Sequence, residues 1–178
     1  ISLSFTDDVV DLMAQKADLA IRMGNLTDSS LIARKIGQSR RVVCAAPSYL
    51  DRKGTPLSPS DLRDHDCLGF NFRKSRISWP MKVRTEIVEQ PVSGAVLVNN
   101  GETLRQMALE GVGIARLGWF HVADDLARGD LVPVLERFNP GDLEFIHAIY
   151  VGGGRTPPRV KAFIDHLAAS VSASRLFS

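Results

Sequence analysis

Asn99–Leu117 reads NNGETLRQMALEGVGIARL, and this one stretch carries a helix, its stop signal and a strand. With Asn99 as cap, Glu102 falls three places on, so that cap and carboxylate each satisfy a free backbone N–H of the first turn. Leu104, Met107 and Ala108 recur at helical spacing and predict the buried face. Gly111 ends the helix, because glycine reaches the left-handed conformation without steric cost. Val112–Leu117 then reads as a short strand. A helix passing through one glycine into a strand is a unit of α/β architecture.

The pattern repeats outward from this unit. Ile1–Phe5 alternates apolar and polar residues as a half-buried strand does. Asp7 or Asp8 caps a short helix facing inward through Val9, Leu12 and Met13, and Ala17–Met23 predicts a strand closed by Gly24-Asn25. Strands follow at Leu31–Ile36 and Arg41–Ala46. Pro47 opens a short helix that Gly54 closes, and Ser58-Pro59-Ser60-Asp61 places Ser at a cap, Pro at N1 and Asp at N3. Cys67–Phe72, Lys82–Ile87 and Ala95–Val98 predict three more strands. Downstream come a helix over Trp119–Arg128 closed by Gly129, then strands at Leu131–Leu135 and Glu144–Val151. A last helix starts at Thr156-Pro157-Pro158, with Val160, Phe163, Ile164, Leu167 and Val171 as its stripe and Ser170–Ser178 as a frayed tail. Strands alternating with helices argue for α/β architecture with mainly parallel sheets.

The 178 residues suffice for one domain or two small lobes with a real core. Hydrophobic residues are 44% and charged residues 24%, as in soluble globular chains. The 22 basic and 20 acidic side chains are dispersed and leave a net charge of +2, without the basic stripe of a nucleic-acid-binding domain. No apolar run reaches the roughly 18–20 residues that span a bilayer, and residues 1–16 lack a signal peptide's pattern. The cytoplasm is the expected location. The opening in a strand-like segment suggests that residue 1 is not a natural start.

Reactive side chains give little chemistry. His65, Asp66 and Cys67 are adjacent in an extended segment, so they point to alternating faces and cannot form a nucleophile–base relay. Turn roles for His65 and Asp66 and a buried Cys67 are the better account. His121, His147 and His166 are isolated, and no metal-ligand spacing occurs. Gly152-Gly153-Gly154 lacks the lysine-serine ending of a phosphate loop and reads as a connection. Arg73, Lys74 and Arg76 beside Phe70 and Phe72 read as a solvated loop. Cys44 and Cys67 read as buried free thiols rather than a disulfide, and neither has a basic cluster to activate it as a redox sensor. The remaining signal is the helix start at Asn99-Asn100-Gly101-Glu102, whose exposed N–H groups and positive dipole end suit an anionic group. Plain helix capping accounts for the same residues, and the two roles are compatible.

An ordered set of motifs resembles one family. Asp18–Gly24 (DLAIRMG) with Asp28–Lys35 (DSSLIARK) resembles the effector domain of LysR-type transcription regulators. So does Arg41–Leu50 (RVVCAAPSYL), continuing through Gly54-Thr55-Pro56 and Pro59–Leu62 to His65–Leu68 (HDCL). Asn99–Leu117 is similar to the family's helix and following strand. The matches run in order from residue 1 to about 172. One departure is Gly118-Trp119-Phe120, where the family usually has a proline after the strand.

The resemblance implies two Rossmann-like lobes with a ligand cleft between them, like a type 2 periplasmic binding protein. One lobe would be 1–37 plus 138–178 and the other 38–137. It implies a non-enzymatic sensor that allosterically controls DNA binding by a winged helix-turn-helix domain outside this sequence, with no cofactor. The implied partners are a small anionic effector and further copies of the chain, as dimer or tetramer, with no membrane. Matched effector positions are Thr6 and Asp7 after the first strand, Met23 and Gly24 after ADLAIRM, Phe70 and Asn71, and Asn100, Gly101 and Glu102. Thr6 and Asn100 would give hydrogen bonds, and the N–H groups near Gly101 would hold the anion. In the family a strand and helix precede the segment matching Ile1–Phe5, the strand lying between it and the one matching Ala17–Met23. Either another segment or chain fills that slot, or the first strand is displaced. The alternative is a free-standing periplasmic solute-binding protein of the same fold.

Overall fold

Leu31–Ala45 forms one 15-residue strand, β2, in the computed structural model, which describes residues 1–6, 11–24, 26, 31–71, 77–94, 96–151, 156–174 and 177. The sequence suggested two strands here, because Gly37 and the polar residues around it resemble a break. The chain instead absorbs them as a bulge between Lys35 and Gly37 and stays in the ladder. The molecule divides into two units, Asp8–Arg40 with Leu143–Ser178 and Ile1–Asp7 with Arg41–Asp142, so β2 changes unit at Arg40/Arg41.

In the first of these, Leu143–Val151 (β9) is the middle strand. It pairs antiparallel with Ala20–Met23 (β1) on one side and with Leu31–Arg40 of β2 on the other. Pro158–Ala173 (α4) packs on one sheet face, with Val160 and Ile164 meeting Ile36, Ile146 and Ala148. Phe163, Leu167 and Val171 of the expected stripe are half-buried. The helix runs to Ala173, so Ser170–Ala173 continues it and is not a frayed end. Of the helix expected after Asp7 or Asp8, residues 12–16 are a turn. Asp11 Oδ1 accepts the Met13 and Ala14 N–H groups, Leu12 is buried and Met13 is exposed.

In the other unit, residues 41–45 of β2 pair antiparallel with Ala115–Gly118 (β7) and Val132–Pro133 (β8). Pro47–Lys53 (α1) begins at its proline and ends at Gly54, where φ is +85°; Ser58 and Asp61 complete a capping box on a 3-10 turn. Gly69–Phe70 (β3) and Leu97–Val98 (β6) pair in parallel. Gly101–Leu109 (α2) and Trp119–Arg128 (α3) follow, α3 closed by Gly129 in the left-handed region. Ser78–Val83 (β4) and Glu86–Pro91 (β5) form a hairpin, where the sequence suggested one strand over Lys82–Ile87. The turn carries Arg84 at φ +57° in place of glycine or asparagine, so no turn signal interrupts the β-branched pattern.

Two further expectations are corrected. Among the described residues most strand pairs are antiparallel; β3–β6 and the Cys67–Ile114 bridge are parallel. Alternation of strands and helices along a chain does not set strand direction, and here β2 and β9 run opposite ways. Ile1–Phe5 forms no strand, and Ile1, Leu3 and Phe5 are exposed. Its alternation yields a strand only where a neighbouring strand supplies hydrogen bonds.

Candidate functional site

The helix start that stood out in the sequence is built by Asn100. Its backbone is extended (φ −141°, ψ 156°) and its Oδ1 accepts the Thr103 N–H at 2.7 Å, which makes it the N-cap of α2. The cap expected at Asn99 therefore shifts by one, and Glu102 sits in the first turn without a capping box. Glu102 Oε1 instead accepts from Gln106 at 2.9 Å and from Arg105 at 2.8 Å. The Gln106 hydrogen bond, with Arg105 and His121 adding to it, holds the Glu102 carboxyl below its ordinary range.

Two short parallel strands deliver the neighbouring positions. Gly69 and Phe70 of β3 are in register with Leu97 and Val98 of β6, and the Asn71 N–H donates to the Val98 carbonyl at 2.8 Å. Their carboxyl ends therefore emerge side by side, one into Asn71 and the other into Asn99-Asn100. Phe70, Asn71, Asn100, Gly101 and Glu102 thus meet at a helix N-terminus beyond parallel strands, where open α/β sheets bind ligands.

His121 joins this group, although in the sequence it stood isolated. A Cβ on Gly101 would lie 2.6 Å from His121 Nε2, so the imidazole packs directly against the start of α2. One turn further along both helices, Arg105 grips Asp125 through two hydrogen bonds of 2.5 and 2.7 Å. Asp125 is fully buried and also pairs with Arg128. This fork locks the register of α2 against α3 and so places His121. No local pattern joins residues twenty apart on separate helices.

Of the other expected positions, Met23 ends β1 in the other unit, and Gly24 follows it at φ +88° with its N–H on the Phe145 carbonyl at 2.9 Å. Thr6 is exposed, and Asp7 lies outside the described residues. So do Arg73, Lys74, Arg76 and Gly152–Gly154.

The adjacent His65, Asp66 and Cys67 are structural. The buried Tyr49 hydroxyl accepts the Asp66 N–H at 2.8 Å and lies 3.2 Å from His65 Nδ1, tying α1 to the strand that leads to Phe70. Cys44 and Cys67 are free and buried, and burial pushes both thiols up to about 12. A thiol held so far from ionisation is a poor nucleophile and redox sensor. Among the described residues no cluster of three His, Cys, Asp or Glu side chains is placed to hold a metal ion.

The family model for the LysR substrate binding domain matches residues 1–172. The chain belongs to this family. Its LysR substrate-binding domain is 35% identical over 167 residues to the HTH-type transcriptional regulator CrgA of Neisseria meningitidis serogroup C, covering 94% of this chain and 56% of that protein. It is also 34% identical over 160 residues to the HTH-type transcriptional activator AaeR of Escherichia coli, covering 88% of this chain and 50% of that protein. The chain thus spans about half the length of these curated relatives. The CrgA regulatory domain superposes with a TM-score of 0.80 at 34% identity, covering 89% of this chain and 77% of that one. Full-length AphB of Vibrio cholerae superposes at 0.76 and 26% identity, covering 95% and 57%. The fold is accordingly the two-lobed α/β fold of type 2 periplasmic binding proteins, and the chain is a LysR substrate-binding domain similar to the regulatory domain of CrgA. A free-standing periplasmic solute-binding protein is not favoured.

Proposed function

We propose that this LysR domain recognises a small anionic effector at the N-terminus of α2 and acts as a sensor without catalysis. The observation that carries this reading is the convergence of Asn71, Asn100 and the bare Gly101 beyond the parallel β3–β6 pair. Unpaired first-turn N–H groups and the helix dipole favour a negative group there. Thr6, Asp7, Met23 and Gly24 are proposed as further effector contacts, and the two units as the two effector subdomains. In the whole protein, effector binding shifts the population of conformations, and with it operator binding by a winged helix-turn-helix domain, in a cytoplasmic homo-oligomer.

The test separates ligand recognition from helix capping. Small carboxylates and aromatic acids are first screened against the full-length regulator by thermal shift. Asn100→Asp keeps a good cap but sets a carboxylate where the anion would sit. It should retain thermal stability and effector-free operator affinity while weakening the effector response by about tenfold or more, roughly 1.4 kcal/mol. Asn100→Ala should lose about 1 kcal/mol of stability with the cap. An Asn100→Asp protein that responds at the parent's effector concentration would remove this helix end from the site.

A further inference from the structure

β9 carries a second polar locus, independent of α2. His147 is in register with Arg22 of β1 on one side and with Lys35 of β2 on the other. Directly opposed residues of antiparallel ladders share a sheet face, and strands lie roughly 4.8 Å apart, so the three form one row across the sheet. Side-chain contacts agree with this placement. Lys35 Nζ stands 4.3 Å from the ring centre of Phe145, and Phe145, two residues before His147, meets the imidazole edge-on with ring centres 6.3 Å apart. Ile146 and Ala148, between and after them, belong to the cluster under α4, so the row lies on the face away from that helix.

His147 Nδ1 is buried and has no hydrogen-bond partner. The Lys35 ammonium gives one hydrogen bond to Gln38 Oε1 at 2.7 Å and has further donors. Arg22 has contacts of its own and adds positive charge at the end of the row. A buried polar nitrogen without a partner costs stability. One chemistry relieves this and uses the neighbouring cation: an acceptor oxygen carrying negative charge, which takes a charge-assisted hydrogen bond from the imidazole N–H and pairs with the ammonium. We propose that His147 and Lys35, flanked by Arg22, form a binding site for a small carboxylate or phosphate.

The full-length regulator tests this by its thermal midpoint, titrated with sodium phosphate and separately with sodium malonate against sodium chloride of equal ionic strength. Either anion should raise the midpoint above the chloride control. A response to phosphate alone identifies a phosphate-bearing ligand, and one to malonate alone a carboxylate. His147→Asn, which keeps an amide nitrogen near the Nδ1 position, should retain the response. His147→Phe and Lys35→Met should each weaken it by about tenfold. Lys35 is exposed, so Lys35→Met keeps the test valid even if His147→Phe folds poorly. In an Asn100→Asp background, where α2 no longer takes an anion, Lys35→Met should remove the same part of the response, which separates this site from the α2 reading. No rise above chloride with either anion, or a full response in Lys35→Met, overturns the proposal.

Discussion

A Cβ on Gly101 would point at His121 Nε2, 2.6 Å away, so any larger residue there makes the imidazole turn aside. At this scale buried groups decide behaviour. Cys44 and Cys67 have thiol pKa values pushed by burial from 9.0 to about 12. Their folded values lie above the unfolded one, so their contribution to stability is full below about pH 9 and falls as pH rises toward 12. Neither cysteine should react with an alkylating reagent in the folded protein at about pH 8, where a free thiol would be partly ionised. Both should react after denaturation, which mass spectrometry of the labelled chain reads directly. Labelling of either cysteine at the rate of the unfolded chain would reopen thiol-based sensing. Tyr49 works differently: its hydroxyl serves two groups of the segment before β3 and is worth more as a junction than as an ionisable group.

Among the elements, the strand leading to Phe70 depends on two glycines in other segments. A Cβ on Gly113 would lie 2.2 Å from the Asp66 carbonyl oxygen, and one on Gly94 the same distance from that of Cys67. Both obstacles are backbone, which cannot rotate away as a side chain can. Gly113→Ala should therefore destabilise the protein by about 3 kcal/mol, the upper range for overpacking. It should also speed amide exchange at Leu68 and Ile114, whose N–H groups bond the Ile114 and Asp66 carbonyls at 2.8 and 2.9 Å. Denaturant unfolding and amide exchange check this, and an unchanged midpoint would show that the strands separate without cost. The β4–β5 hairpin tolerates its own strain at Arg84, since its inner side is anchored by the buried Trp79 and Met81.

For the whole molecule, charge bears on partners more than on fold. The 22 basic and 20 acidic side chains nearly balance, and ion pairs among the described residues, such as Arg34–Asp165 and Arg159–Asp18, mix the two signs. This 178-residue polypeptide should not retard operator DNA at physiological salt, since phosphate binding scales with the number of clustered cations. Gel retardation tests this, with a sequence-specific shift as the result that would contradict it. Among the described residues no helix is long and apolar enough to cross a membrane.

Short-range chemistry was legible in the chain itself. The proline start and glycine stop of α1, the Ser58–Asp61 box, the Gly129 end of α3 and the start of α4 all lie within a few residues of the groups they satisfy. The motif order was legible too, since matched blocks must appear in sequence. The tertiary structure alone decided what distant residues do to one another. It merged two apparent strands into β2, folded Lys82–Ile87 around Arg84, left Ile1–Phe5 unpaired and turned most ladders antiparallel. It also moved the α2 cap to Asn100 and brought His121 to Gly101. Strand partners and side-chain neighbours are chosen by hydrogen bonding and packing between segments far apart in the chain, and local periodicity carries no term for that energy.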